Sequence, residues 1–230
     1  SPCACSGGRG AARQCAHQKD YLPVAGLPAL RAAVAAYHRR LNRLEASAEQ
    51  VVIAPGSKEL LYVLQYVVDG PLLLPAPSWV SYAPQAGLLG RPAQWIDTRA
   101  ADRWMLTPEA LDAACATEPS DRSRLLVLNY PSNPTGASYT GDALAALADV
   151  ARRHRLLVLA DEIYGELHFD GGHRSMAEVY PEATVVSAGL SKWCGAGGWR
   201  LGTMLFPPRL HHLADAVSYT HLRAHETLSY

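Results

Sequence analysis

The sequence predicts an α/β fold: a mostly parallel sheet with helices on both faces. Three observations predict it. Short apolar runs recur along the chain: VVIA at 51–54, PLLLPAP at 71–77, AQWID at 93–97, LLVLN at 125–129, LLVLA at 156–160 and ATVVSA at 183–188. They alternate with helical patterns and are continuous rather than apolar–polar, as strands buried on both faces are. The residues able to do chemistry follow these runs, at the strands' carboxyl ends, where open α/β sheets bind ligands.

Residues 1–20 show no periodicity and read as a disordered or non-native leader. Its Cys3, Cys5, Cys15 and His17 lack the spacing of a zinc site, and no metal is expected. Tyr21 opens an extended lead-in, YLPVAG. Leu27, Leu30, Val34, Tyr37, Leu41 and Leu44 then recur at 3-4-3-4-3 spacing, which predicts an amphipathic helix over 27–44 with Pro28 in its first turn. After VVIA, Pro55 and Gly56 break the strand. Leu60, Leu61, Leu64, Val67 and Val68 mark a second helix. Gly56, Ser57 and Lys58 therefore lie between a strand end and a helix start, where free N–H groups and the helix dipole suit an anion. The spacing is not that of a nucleotide P-loop.

Trp79 follows the apolar run PLLLPAP, as either a core residue or an aromatic able to stack on a planar ring. Thr107 and Pro108 start a helix as N-cap and first residue. LLVLN runs into Tyr130-Pro-Ser-Asn133-Pro-Thr-Gly136, which suits neither helix nor strand. Thr140 or Asp142 opens a helix to about His154, and LLVLA ends directly on Asp161, Glu162, Ile163 and Tyr164. MLF at 204–206 reads as a last strand, stopped by Pro207 and Pro208.

The bulk numbers bound the function. The 230 residues, 49% of them hydrophobic, suffice for a large core. With 21 basic and 21 acidic residues there is no electrostatic footprint for nucleic acid or an anionic membrane. No apolar run approaches the ~18 residues of a membrane span, and no signal pattern opens the chain. Five cysteines, an odd number, suit a reducing, cytoplasmic setting. The first residue is not Met, and the chain reads as a fragment.

The stretch 187–202, SAGLSKWCGAGGWRLG, carries the most chemistry. Lys192 follows Ser191, Arg200 comes eight positions later, and glycines stand at 195, 197, 198 and 202. A lysine can form a Schiff base with an aldehyde when its surroundings lower its pKa. An arginine can grip a phosphate through two parallel hydrogen bonds, and a serine hydroxyl can add another. Aldehyde and phosphate together describe pyridoxal 5′-phosphate; the other reading is a surface Lys and Arg on a flexible loop. GAGGWRLG is not a dinucleotide fingerprint, because no strand–glycine–helix unit surrounds it.

Four motifs, GSKELL at 56–61, NYPSNPTG at 129–136, ADEIYGEL at 160–167 and GLSKWCGAGGWRLG at 189–202, resemble in order those of the class I/II aminotransferases, fold-type-I enzymes dependent on pyridoxal phosphate. The resemblance covers about residues 21–217. It implies the cofactor-binding large domain of that fold, incomplete at its C-terminal end, with the small domain largely missing. It implies that Lys192 is the Schiff-base lysine and moves the proton, and that Asp161 faces the pyridine nitrogen. Tyr164 and Asn133 are implied as donors to the ring's phenolic oxygen, and Trp79 as the stacked aromatic. Gly56, Ser57 and Lys58 would cradle the phosphate with Ser191 and Arg200. Tyr21 matches a tyrosine that reaches the neighbouring subunit's phosphate in a homodimer; a core or surface tyrosine is its other reading. Gly189 departs from the pattern, since many members carry a phosphate-binding serine or threonine there.

The resemblance implies transfer of an amino group between an amino acid and a 2-oxo acid by ping-pong turnover. A C–S lyase or cyclisation enzyme of the same fold, and a cofactor-sensing domain of a transcription regulator, are its alternatives. The arginine that holds the substrate α-carboxylate is expected beyond the end of this chain. Residues 218–230 read as a non-native tail, resembling translated sequencing-adapter read-through, so the spacing of His221 and His225 is not expected to hold a metal.

Overall fold

A computed structural model describes residues 22–117, 122–169 and 172–226, with side chains only as far as 220 in the last stretch. Residues 1–20, Tyr21, the side chains of His221 and His225, and residues 227–230 lie outside the described residues. The chain runs α1 (Pro28–Leu41), β1 (Val51–Ala54), α2 (Ser57–Val67), β2 (Leu72–Ala76), α3 (Tyr82–Leu88), β3 (Ala93–Asp97), α4 (Pro108–Thr117), β4 (Leu125–Asn129), α5 (Gly141–Arg153), β5 (Leu157–Asp161), α6 (Met176–Val179), β6 (Thr184–Gly189), β7 (Gly202–Leu205) and α7 (His211–Glu226).

The strands form one seven-stranded sheet in the order β1-β7-β6-β5-β4-β2-β3. Five strands, β3, β2, β4, β5 and β6, pair in parallel; β7 is antiparallel to both β6 and β1. The reversal at β7 follows from its connection: residues 190–201 lead straight back from β6 with no crossover helix. Because β1 is also antiparallel to β7, it points the same way as β6. The carboxyl ends of β1, β2, β4, β5 and β6 therefore share one edge of the sheet.

Alternate residues of each central strand enter different cores. Leu72, Leu74, Leu125, Val127, Leu157 and Leu159 pack with α2, α3 and α7 on one face. Leu73, Leu126, Leu128, Val158 and Ala160 pack with α4, α5 and α6 on the other. Burial on both faces is the reason these strands read as unbroken apolar runs. At the β1 end the second face is closed by α1 through Ala35, against Val51, Val186 and Leu205.

Three helices were not legible in the sequence. Helix α3 is short and contains Pro84 and Gly87. Helix α6 is one turn, held by a capping box between Ser175 and Glu178. Helix α7 packs Ala214 and Val217 on the first core and runs without a break past residue 218, where the sequence offers no regular apolar face. The stripe expected on α1 is also rotated. Ala35 and His38 are its buried positions, whereas Leu27 and Leu41 are 47% and 43% exposed. Small Ala35 lets the helix lie close to the sheet, and the larger Leu30, Val34 and Tyr37 line a groove shared with Ala188, Leu190 and Trp193.

Candidate active site

The shared strand edge collects the residues singled out from the sequence. At the end of β1 the chain turns through Gly56, whose φ of +99° favours glycine, and α2 starts at once with no side chain capping its N-terminus. Arg200 lies directly over this turn. A Cβ on Gly56 would collide with its Nη2, and a Cβ on Gly202 would collide with the amide nitrogen of Ser57. Arg200 Nη1 donates to the carbonyl of Gly197 at 2.9 Å and Nη2 to that of Pro55 at 3.4 Å. The result is a cradle of helix N–H groups, a hydroxyl and a guanidinium whose close approach depends on glycine. The Lys58 side chain lies near Trp79, its Nζ 5.6 Å from the centre of that ring.

Asp161, the last residue of β5, is 3% exposed. Its Oδ2 accepts from Tyr82 Oη at 2.5 Å and its Oδ1 from the amide of Ile163 at 3.4 Å. Burial, the largest influence, pushes the carboxyl up to about 6; the donors Tyr82 and Ile163 pull it back, Glu162 raises it further and the charge of Lys192 lowers it. Tyr82 itself is fully buried, with its hydroxyl held well above the ordinary range by burial and then by Asp161. Trp79 meets Tyr82 edge to face at 5.3 Å and stays half-buried.

The carbonyl of Asp161 ties the neighbouring loop to β5. It accepts from Asn129 Nδ2 at 2.9 Å and from the amide of Tyr130 at 3.3 Å. Asn129 Oδ1 then accepts from the amide of Asn133 at 2.7 Å, which fixes the loop 130–136 over the strand end. Asn133 and Tyr164 line one cavity. On the opposite loop, exposed Lys192 holds its Nζ 5.4 Å from the centre of the Tyr164 ring, with half-buried Ser191 beside it. Gly189 has a spatial reason for departing from the hydroxyl-bearing pattern: a Cβ there would stand 2.6 Å from the carbonyl oxygen of Leu201.

The structure thus brings Gly56, Ser57, Arg200, Trp79, Asp161, Asn133, Tyr164, Ser191 and Lys192 to one sheet edge, with the backbone of Lys58 at the helix start. Tyr21 lies outside the described residues. Sequence reasoning missed Tyr82 and Asn129, which orient the groups it did find. The signal for Tyr82 was present, three residues after Trp79, but only the fold shows that α3 carries it beneath β5. Tyr82→Phe is expected to raise the Asp161 midpoint above about 6, because a donor to the ionised form is lost. It should also cost about 1–3 kcal/mol of stability. Denaturant melts and the pH dependence of ligand binding check both.

A family model described as "Aminotransferase class I and II" matches residues 9–222. An aspartate aminotransferase of Bacillus sp. (strain YM-2) is 34% identical over 189 residues, which are 79% of this chain and 47% of that protein. The aspartate/prephenate aminotransferase of Thermus thermophilus is 32% identical over 212 residues, 91% of this chain and 54% of that protein. The solved structure of an aspartate aminotransferase from Thermus thermophilus with maleate superposes with a TM-score of 0.82 at 32% identity, covering 94% of this chain and 56% of that one. The chain spans about half the length of the curated relatives it matches.

Proposed function

Because the chain belongs to the aminotransferase class I and II family, we propose that it carries the cofactor-binding part of an enzyme that moves an amino group between an amino acid and a 2-oxo acid. The family's cofactor is pyridoxal phosphate, and the residues present fit it. The cradle at Gly56 is closed by a guanidinium over uncapped helix N–H groups, which suits a phosphate. A buried carboxyl raised to about 6 suits a facing cation such as a protonated ring nitrogen. That pairing of an anion cradle with a buried carboxyl along one sheet edge is the observation that carries the reading.

When bound, the cofactor supplies an aldehyde that condenses with amines and a ring that draws electrons from the substrate Cα. Lys192 would supply the amine, and its Nζ would carry the proton that leaves the substrate Cα. Asp161, held in place by Tyr82, would keep a negative charge facing the ring nitrogen. Arg200, Ser191, and the N–H groups of Gly56, Ser57 and Lys58 would hold the phosphate. Asn133 and Tyr164 would donate to the phenolic oxygen, and Trp79 would pack on the ring. The turnover is proposed to be ping-pong, in two half-reactions at this one site. Aspartate is the first donor to test, since it is named in the relatives above.

The active unit is proposed to be a homodimer, with Tyr21 reaching the partner's site. Exposed Leu27, Leu41 and Trp193 beside the α1 groove support such a contact. A reducing compartment such as the cytoplasm suits the exposed, free Cys194 two residues from Lys192. Among the described residues no helix is long and apolar enough to cross a membrane.

The test is to mix the purified 230-residue chain with pyridoxal phosphate, reduce with borohydride and map the tagged peptide. The tag is expected on Lys192; a tag spread over surface lysines sinks the reading. In the intact protein, amino transfer should require an added 2-oxo acid. Ammonia and pyruvate released without one would instead mark elimination.

A further inference from the structure

Glu162 stands beside Asp161 yet has no part in the roles above. Its side chain is 2% exposed. Oε1 accepts from Tyr130 Oη at 2.8 Å, from Ser175 Oγ at 2.8 Å and from the amide of Met176 at 3.3 Å. The Met176 amide also reaches Tyr130 Oη at 2.6 Å. Oε2 stands 2.8 Å from His173 Nε2, a charge contact whose angle is poor for a hydrogen bond. The His173 ring stacks on Tyr130 with centres 5.2 Å apart. Burial pulls His173 down, but Glu162, with the charges of Glu166 and Glu178, carries it above its ordinary value. A carboxyl buried this deeply is costly unless donors surround it, and here two other segments, Tyr130 and residues 173–176, supply them.

Those segments are the ones that matter to the site. Tyr130 roots the loop that carries Asn133. Glu162 itself opens the turn that carries Tyr164, closed by the Gly165 amide on the Glu162 carbonyl at 2.8 Å. Residues 173–176 brace both from outside. We infer that Glu162 is a positioning residue: through Tyr130 it holds the Asn133 loop and the Tyr164 turn as one rigid unit, so that both side chains aim at the same ligand atom. The inference rests on the cofactor reading for the identity of that atom, not for the coupling itself.

The test uses the whole chain with Tyr130→Phe, Glu162→Leu and Glu162→Gln. Hydrogen exchange without cofactor is read first. In Tyr130→Phe and Glu162→Leu, residues 130–139 and 162–168 are expected to exchange faster together, by about tenfold, while α2 and β2 keep their protection. Glu162→Gln retains an acceptor for Tyr130 and Ser175 and is expected to stay near wild type. The second readout is the pH midpoint of the bound cofactor's absorbance. Donors on the phenolic oxygen favour the proton-poor form, so loosening them should raise the midpoint by about half a unit to one unit. Acceleration in one segment alone, uniform acceleration across the chain, or an unmoved midpoint with lowered melting would overturn the inference. If wild type shows no cofactor band at all, the cofactor reading fails, and the exchange pattern still decides whether Glu162 couples the two segments.

Discussion

Lys192→Ala is expected to abolish the borohydride-fixed cofactor adduct and to lower amino transfer by the intact protein by about 10⁴-fold or more. That figure is the upper end of what a positioned proton carrier supplies, and the covalent anchor is lost as well. The side chain is exposed and touches little beyond the Tyr164 ring, so the fold should not change. Circular dichroism and melting temperature should therefore match wild type while the adduct disappears. Turnover retained in this variant would remove the mechanism, because among the described residues no second lysine lies on the 190–201 loop.

Asp161→Asn is expected to separate function from stability. Without an anion opposite the ring nitrogen, amino transfer should fall by about 10²–10³-fold, the usual loss when a preorganised charge is removed. The cofactor-free protein should behave in the opposite sense. The folded carboxyl titrates at about 6 against 3.8 for the free side chain. Below about pH 4 both states hold the proton and the group carries no penalty. As pH rises to about 6 the folded chain must give up its proton against burial, and stability falls by on the order of 3 kcal/mol. An asparagine never ionises, so the variant should melt above wild type near neutral pH and lose that advantage at about pH 4. Melts at the two pH values check this; a variant less stable than wild type near neutral pH would contradict the burial argument.

Much of this was legible because both of the sheet's faces are covered. Continuous runs such as LLVLN and LLVLA needed no structure to be read as buried strands, and their ends located Asn133 and Asp161. The strand–turn–helix at Gly56 was legible for the same reason. What stayed hidden depends on contacts distant in sequence. Tyr82 gains its meaning from Asp161, 79 positions later, and Glu162 from Tyr130 and His173. The direction of β7 is a pairing property that no local period encodes. On α1 the 3-4 spacing located the helix but not its buried side, because Ala35 and His38 contribute too little apolar character to outweigh the leucines beside them.

The antiparallel return of β7 has a consequence for how this molecule can vary. Gly189 and Gly202 face each other across the β6–β7 ladder, so the stretch between them is a stirrup hung from two adjacent rungs. Lys192 hangs near one foot and Arg200 near the other, with the Arg200 guanidinium tied to the crown through the Gly197 carbonyl. Both feet are sterically locked, since side chains at Gly189 and Gly202 would strike backbone. Within the crown from Trp193 to Trp199, Gly198 has open space around it, whereas Gly195, at a φ of +63°, favours glycine for its backbone alone. Variation in the stirrup is therefore expected at its open positions such as Gly198, while the Gly197 carbonyl and buried Ala196 stay with the two feet that set Lys192 and Arg200.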